Sequence, residues 1–247
     1  MQQYFVKGLA SSPVTIEDKE NSKHMFQVMR LKEDDEVTLV FDDGIKRLAR
    51  VVNVESRQLE LIEELVDNVE LPVQVTIASG FPKGDKLEFI TQKVTELGAS
   101  QIWAFPADWS VAKWDGKKLG KKVEKLEKIA LGAAEQSKRN LVPSITLFEK
   151  KADFLAQFDQ FDRIVVAYEE SAKEGEVAAL LQSLTGLEAG SKLLLIFGPE
   201  GGLSPAEIES FTAKGAVLAG LGPRILRAET APLYALSAVS VVTELMN

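Results

Sequence analysis

Cysteine is absent from the 247 residues, and histidine occurs once, as His24. The first absence excludes disulfides, thiolate nucleophiles and zinc–sulfur sites, and it fits a reducing compartment such as the cytoplasm. With so few soft ligands a transition-metal site is not expected. A Ser-His-Asp triad would have to use His24, which sits in the polar, helix-like segment TIEDKENSKHMFQVMRL. No apolar stretch reaches the roughly 18 residues of a membrane span. MQQYFVKGLASSP has no basic start leading into a long apolar core, so no secretory signal is expected.

Basic residues are outnumbered, 29 to 37, which leaves a net charge of −8. An acidic chain is a poor generic nucleic-acid binder, because affinity for phosphates comes from clustered Lys and Arg. The distribution is uneven. Residues 15–70 are acid-heavy, as in KEDDE and LIEELVDNVE. Between 113 and 139 the balance reverses: Lys113, Lys117, Lys118, Lys121, Lys122, Lys125, Lys128, Lys138 and Arg139 face only Asp115, Glu124, Glu127 and Glu135. Such a run is ordinarily a solvated helix face with Glu–Lys pairs. It points to RNA only if the rest of the chain does.

At 45% hydrophobic content the chain can bury one large core or two modest ones. Residues 1–70 read as β-rich. VTLVF and IKRLARVVNV flank the turn DDG, and QLELIEE is a further strand. The helical insertion places Met25, Val28 and Met29 on one face. This predicts a small barrel-like domain over 1–70, ending in the acidic loop before Pro72. Residues 73–247 read as α/β. The strands VQVTIAS, QIWAF, RIVVAY and KLLLIF alternate with helices at Leu87–Leu97, at 117–137 and at GEVAALLQSL. That alternation predicts a parallel sheet covered on both faces.

The apolar run Leu193–Phe197 ends in Gly198-Pro199-Glu200-Gly201-Gly202, and Gly222-Pro223 follows a second apolar run. Both read as loops leaving the carboxyl ends of neighbouring strands, where α/β sheets bind ligands. Ser204-Pro205-Ala206-Glu207 supplies an N-cap, a first-position proline and the glutamate of a capping box. Gly198–Leu203 is therefore a tight strand-to-helix loop, in which Gly201 and Gly202 permit positive φ and close backbone approach. A phosphate is a poor guest. The P-loop and dinucleotide spacings are missing, and Glu200 would repel it. A neutral or cationic ligand suits the loop better.

IFGPEGGLSPAEIE with LGPRILRAETAPLYALS resembles the C-terminal signature of the SPOUT methyltransferases, whose parallel-sheet domain carries a deep trefoil knot. PKGDKLEFITQKVTELG and AAEQSKRNLVP narrow the resemblance to the RsmE family, the 16S rRNA uracil-N3 methyltransferases. It runs from about Tyr4 to Asn247 and makes the N-terminal domain a PUA-like RNA-binding barrel. It implies S-adenosylmethionine as cofactor, held bent by Phe197, Gly198, Pro199, Glu200 and Gly201, by Leu221, Gly222, Ile225, Leu226 and Arg227 with Thr230 and Ala231, and by Ala167, Tyr168 and Glu169. It implies ribosomal RNA at Arg30, Lys113, Gln136, Lys138, Arg139 and Arg224, and a homodimer paired through the C-terminal helix. One departure stands out in ADWSVAK: Trp109 occupies the place of the family's usual Arg, so Glu96 of the KVTE stretch needs another partner.

Methyl transfer from a sulfonium needs mainly an in-line approach. The N3 proton of uracil must leave before or as the nitrogen attacks, so a base or an anion-stabilising cation is required. RILRAET offers Arg227 to stabilise developing negative charge, and Glu229 to accept a proton or to hold Arg227. The target must be single-stranded or flipped. Two other readings stay open: a non-catalytic binder of structured RNA with a vestigial cofactor pocket, and a nucleotide- or sugar-phosphate-processing α/β enzyme, against which the missing phosphate motifs count. Finally, APLYALSAVSVVTELM has Glu244 as its one charge, while Leu233, Tyr234, Leu236, Val239, Val241, Val242 and Leu245 surround the helix axis. A helix apolar all round must be buried on every side. A second copy, paired isologously, is the expected cover.

Overall fold

The DDG stretch makes a hairpin. Gly44 takes φ +72°, and Asp43 Oδ1 accepts the Ile45 N–H at 3.0 Å. In the computed structural model, which describes residues 1–168 and 179–246, this turn joins β3 (Glu36–Val40) to β4 (Lys46–Asn53). The two belong to a curled five-stranded sheet with β1 (Gln3–Phe5), β2 (Val14–Thr15) and β5 (Gln58–Leu65), ordered β1-β3-β4-β5-β2. The β1–β3 pair is parallel and the others antiparallel. Tyr4, Val37, Leu39, Ala49, Val51 and Leu59 turn inward onto Met25.

The chain divides into two compact units: Met1–Glu70 with Ala134–Leu141, and Leu71–Ala133 with Val142–Asn247. The return of 134–141 to the first unit has a side-chain cause. Glu70 accepts the backbone N–H groups of Asn140 and Leu141 at 2.8 and 3.3 Å and forms an ion pair with Arg139. Gln3 Nε2 donates to the Arg139 carbonyl at 2.7 Å. Arg139 is therefore not the RNA-facing cation expected from its place in the basic run; its side chain is 2% exposed. Removing one partner of a buried pair strands the other charge, at a cost of about 3–5 kcal/mol. Arg139→Ala should lower the melting temperature clearly, while Lys121→Ala, exposed on the same basic run, should not; calorimetric melts compare them.

The helical insertion also differs from expectation. Five α-helical residues, Lys19–Lys23 (α1), pass into a π-turn over His24–Val28, closed by Met29 N–H to the His24 carbonyl at 2.8 Å. The wider turn breaks the 3.6-residue register. Met25 stays buried, but Val28 and Met29 face solvent.

In the second unit Leu193–Phe197 is apolar at every position because both its faces are covered. It lies in β10 (Lys192–Phe197) of a six-stranded sheet ordered β11 (Val217–Ala219), β9 (Arg163–Ala167), β10, β6 (Gln74–Gly80), β7 (Gln101–Phe105), β8 (Ser144–Leu147). Every pair is parallel. Leu193, Leu195 and Phe197 pack with Ile90 and Val94 of α2 (Lys86–Glu96). Leu194 and Ile196 pack with Trp103, Phe105, Phe211 and Phe154 of α4 (Lys151–Leu155) on the other face. The long basic helix, α3 (Gly116–Gln136), buries Leu119, Leu126 and Ala130. Lys125 and Lys122 reach Glu88 at 2.6 and 3.8 Å, so part of its charge is spent on α2. The strands ending in Gly-Pro are not neighbours: β9 lies between β10 and β11. Among the described residues no helix is long and apolar enough to cross a membrane.

Candidate functional site

The first Gly-Pro loop is as tight as its glycines suggest. A Cβ on Gly198 would lie 2.8 Å from the Gly202 carbonyl carbon, and one on Gly80, at the end of β6, would lie 2.5 Å from Pro199 Cδ. Gly202 takes φ +78°, a conformation that favours glycine. The capping box is formed at the start of α6 (Pro205–Ala213). Ser204 Oγ accepts the Glu207 N–H at 3.2 Å, and Glu207 Oε2 accepts the Ser204 N–H at 2.9 Å. Glu207 does more than cap. Its buried carboxylate also accepts the Asp108 N–H at 2.9 Å and pairs with Lys151 at 2.6 Å. The loop after β7 is thereby fastened to the loop after β10.

Because β9 separates the two strands, the Gly-Pro loops converge over its end. Tyr168 N–H donates to the Ala219 carbonyl at 3.0 Å there. A narrow recess gathers Ala167, Phe197 and Leu221 from three strand ends. It is walled by Leu180 of α5 (Ala179–Leu184) and Ala235 of α7 (Ala231–Ser240). Glu169 lies outside the described residues. In the second loop Gly222 takes φ +88°. Leu226 and Ala231 are half-buried, while Arg224, Arg227 and Thr230 are exposed. Ile225 is 79% exposed and does not line the recess.

A cation missed in the sequence reading joins the two loops. Lys86, the first residue of α2, places its Nζ 3.0 Å from Glu200 Oε1 and 3.0 Å from Glu229 Oε2. The Lys83 N–H donates to Glu200 at 3.1 Å. Contacts to Glu200, then Glu229, hold the Lys86 ammonium above its usual range. Burial opposes the charge on both carboxylates. Their own backbone amides and Lys86 outweigh it, with the Lys83 amide helping at Glu200 and Arg227 at Glu229, and both sit below 4.5. Glu229 is thus held ionised, which makes it a weak proton acceptor. The sequence carried one usable signal for Lys86: a lysine opening the helix that follows β6, at the carboxyl edge where the loops lie.

The structure places the remaining residues as follows. Lys93 supplies the partner Glu96 needed, at 2.8 Å. Trp109 packs against the first loop, and a Cβ on Gly201 would lie 3.0 Å from Trp109 Cβ. Arg30, Lys113, Gln136 and Lys138 are exposed. The C-terminal helix is not buried all round. Ala235, Leu236 and Val239 are in the core, whereas Tyr234, Val241 and Leu245 are exposed, Leu245 by 75%. Among the described residues no cluster of three His, Asp or Glu stands ready to hold a metal ion.

Comparison with known proteins agrees with this geometry. Residues 69–240 match the RNA methyltransferase domain family, and residues 16–64 match the RNA methyltransferase PUA domain. The chain is 46% identical to ribosomal RNA small subunit methyltransferase E of Bacillus subtilis, over 100% of this chain and 99% of that one. A crystal structure of a hypothetical protein, 44% identical, superposes with a TM-score of 0.91 over the whole of both chains. A methyltransferase from Legionella pneumophila, solved in complex with the bound cofactor SAM, is 26% identical, with a TM-score of 0.82 over 97% of each chain. A full-length match at this identity, joined to a PUA match and an RNA methyltransferase match in the same order along the chain, has one reading: the protein belongs to the ribosomal RNA small subunit methyltransferase E family.

Proposed function

We propose that the protein methylates N3 of a uridine in 16S ribosomal RNA of the small subunit, using S-adenosylmethionine. The observation that carries this is the recess where Ala167, Phe197 and Leu221 meet, with the loops leaving Phe197 and Leu221 joined by Lys86 through Glu200 and Glu229. Its residues fit the cofactor. The lining is apolar, as a flat purine ring requires. Glycines let the backbone close in, and the nearby carboxylates suit a sulfonium while repelling a phosphate. Bound there, S-adenosylmethionine supplies an electrophilic methyl group. Ala167, Phe197 and Leu221 would hold its adenosine. Glu200 would face the cationic end while Lys86 keeps it in place. Arg227 would stabilise the negative charge that gathers on the uracil as its N3 proton departs. The rRNA would be gripped by the N-terminal unit and the exposed lysines of the 113–138 run. These steps belong in the cytoplasm, where the rRNA is, and the cysteine-free sequence agrees. The test incubates the purified protein with S-adenosylmethionine and 16S rRNA, free or in subunits. N3 methylation blocks base pairing, so reverse transcription should stop at one uridine; no methyl incorporation into either substrate would refute the proposal.

Two further expectations follow from the same site. Lys86→Met leaves Glu200 and Glu229 without their shared cation. Partly exposed ion pairs contribute up to about 1 kcal/mol each, so losing both should lower affinity for S-adenosylmethionine by several-fold to about tenfold in calorimetry. The pH dependence has a definite sign. Both carboxyls titrate lower when folded than when unfolded, so the clamp's contribution is complete above 4.5 and is lost as pH falls through the depressed values. Affinity should stay level from neutral pH down to about that point and drop below it.

We also propose that the protein acts as a homodimer paired through its C-terminal helix. The support is the apolar face of Tyr234, Val241 and Leu245, left exposed while the opposite face is in the core. Leu236 is fully buried, so a charge there would unfold the unit and say nothing about pairing. Val241→Glu with Leu245→Glu is the informative variant. Light scattering should give the mass of two chains for the wild type and one for the variant, with methyl transfer lost in the latter. A wild-type mass of one chain with full activity would overturn the pairing.

A further inference from the structure

A second cavity, about 210 Å³, lies at the carboxyl ends of β6 and β7. Its walls include Phe81, Pro106, Ala112 and Trp114, with Ser110 and Lys113 as polar members. The volume is smaller than the roughly 300–1,000 Å³ of drug-sized sites and suits a single flat ring. Phe81 and Trp114 form an aromatic pair, with ring centroids 4.4 Å apart. Asp108 also lines the cavity, but its carboxylate is engaged by Lys151 and by Ser204 Oγ, each at 2.5 Å. Ser110 Oγ is the contrast: it is buried and has no hydrogen-bond partner among the described residues. An orphaned buried hydroxyl is costly and calls for a guest that satisfies it. At the mouth Lys113 is exposed, and Lys117, Lys118 and Lys121 are exposed in the helix that follows.

An apolar aromatic wall, one free hydroxyl and a cationic mouth together describe a receptor for a flat, neutral heteroaromatic ring carried on a phosphate backbone. A base within a duplex cannot enter; a base from single-stranded or locally opened RNA can. The cavity is also well placed. Trp109, between the lining residues Asp108 and Ser110, sets its Cβ against Gly201. Gly201 thus touches the segment whose residues line the cavity, while the preceding Phe197 lines the apolar recess. Trp109 itself is 48% exposed, a surface on which a further base can stack.

We propose that this cavity receives one base extruded from the RNA substrate. A carbonyl of the base accepts from Ser110 Oγ, the ring lies along Phe81 and Trp114, and Lys113 meets the adjoining phosphate. The proposal rests on the methyltransferase reading for the nature of the RNA, but its test is separate. The full-length protein is irradiated with a single-stranded oligoribonucleotide in which 5-iodouridine replaces one uridine. Crosslinks should map to Phe81, Trp109 or Trp114. Ala112→Trp fills the cavity and should weaken oligonucleotide binding by roughly tenfold or more, with melting temperature and S-adenosylmethionine affinity at wild-type values. Ser110→Ala, which barely changes shape, should weaken it several-fold. Crosslinks mapping only outside residues 81–114, or wild-type RNA affinity in both variants, would overturn the proposal. If the variants lose RNA while the wild type transfers no methyl group, the cavity stands and the methyltransferase reading falls. If methylation proceeds and the variants bind RNA normally, the cavity alone falls.

Discussion

Gly201→Val is expected to weaken S-adenosylmethionine binding by roughly tenfold to a hundredfold. Any Cβ at this position would sit 3.0 Å from Trp109 Cβ and 3.2 Å from the Trp109 carbonyl oxygen. Alanine would require a shift of a few tenths of an ångström. Valine adds two γ-carbons on a stiff χ1, with nowhere to turn them. Overpacking of this kind costs about 1–3 kcal/mol, and the strain has few exits. Trp109 is held by the loop that Glu207 and Lys151 fasten. The strain therefore passes into Gly198-Pro199-Glu200. There Pro199 rests against Gly80, and Glu200 is bound to Lys83 and Lys86. Displacing that segment moves the wall of the recess next to Phe197. Calorimetry should show that weakening in the variant. Gly132→Ala, on α3 where nothing lies within 4 Å of the added carbon, should bind as the wild type does. Undiminished affinity in Gly201→Val would place the cofactor elsewhere.

Arg227→Ala should reduce kcat by about 10²–10³, the usual cost of removing one preorganised donor from a developing anion. Arg227 is exposed, so its charge is free to meet a substrate, and its field helps keep Glu229 ionised. Negative charge on the uracil exists only as N3 loses its proton. The loss should therefore fall on kcat, with cofactor affinity within a few-fold of wild type. Arg227→Lys should recover only part of the rate, since an ammonium keeps the charge and loses the planar fork. Single-turnover kinetics with saturating cofactor separates the two effects. A wild-type rate in Arg227→Ala would remove this residue from the mechanism.

Much of the site was legible because its chemistry is written in local backbone requirements. Gly198 and Gly202 occur where only glycine fits. Ser204 and Glu207 form the capping box their spacing predicts, and the apolar run before them is a strand buried on both faces. Residues whose roles depend on distant partners were not legible. Lys86 is one lysine among many until α2 is seen to open beside both loops. Arg139 looked like surface charge in a basic run until Glu70, 69 residues earlier, was found beneath it. Ser110 is one of many serines until its hydroxyl is found buried and alone.

The sequence by itself determined the local pieces: a β-rich start, an alternating α/β remainder, two glycine-proline loops, and a composition without thiols. Each follows from interactions between residues a few positions apart, which periodicity and turn chemistry record directly. Only the tertiary structure decided that β9 enters between β10 and β11 and draws the two loops together over its end. It alone showed that the C-terminal helix has one buried and one open face, and that a π-turn exposes Val28 and Met29. Strand order and the partner of a charge are set by contacts between segments far apart in the chain. The energy of those contacts depends on packing that no short window of sequence contains.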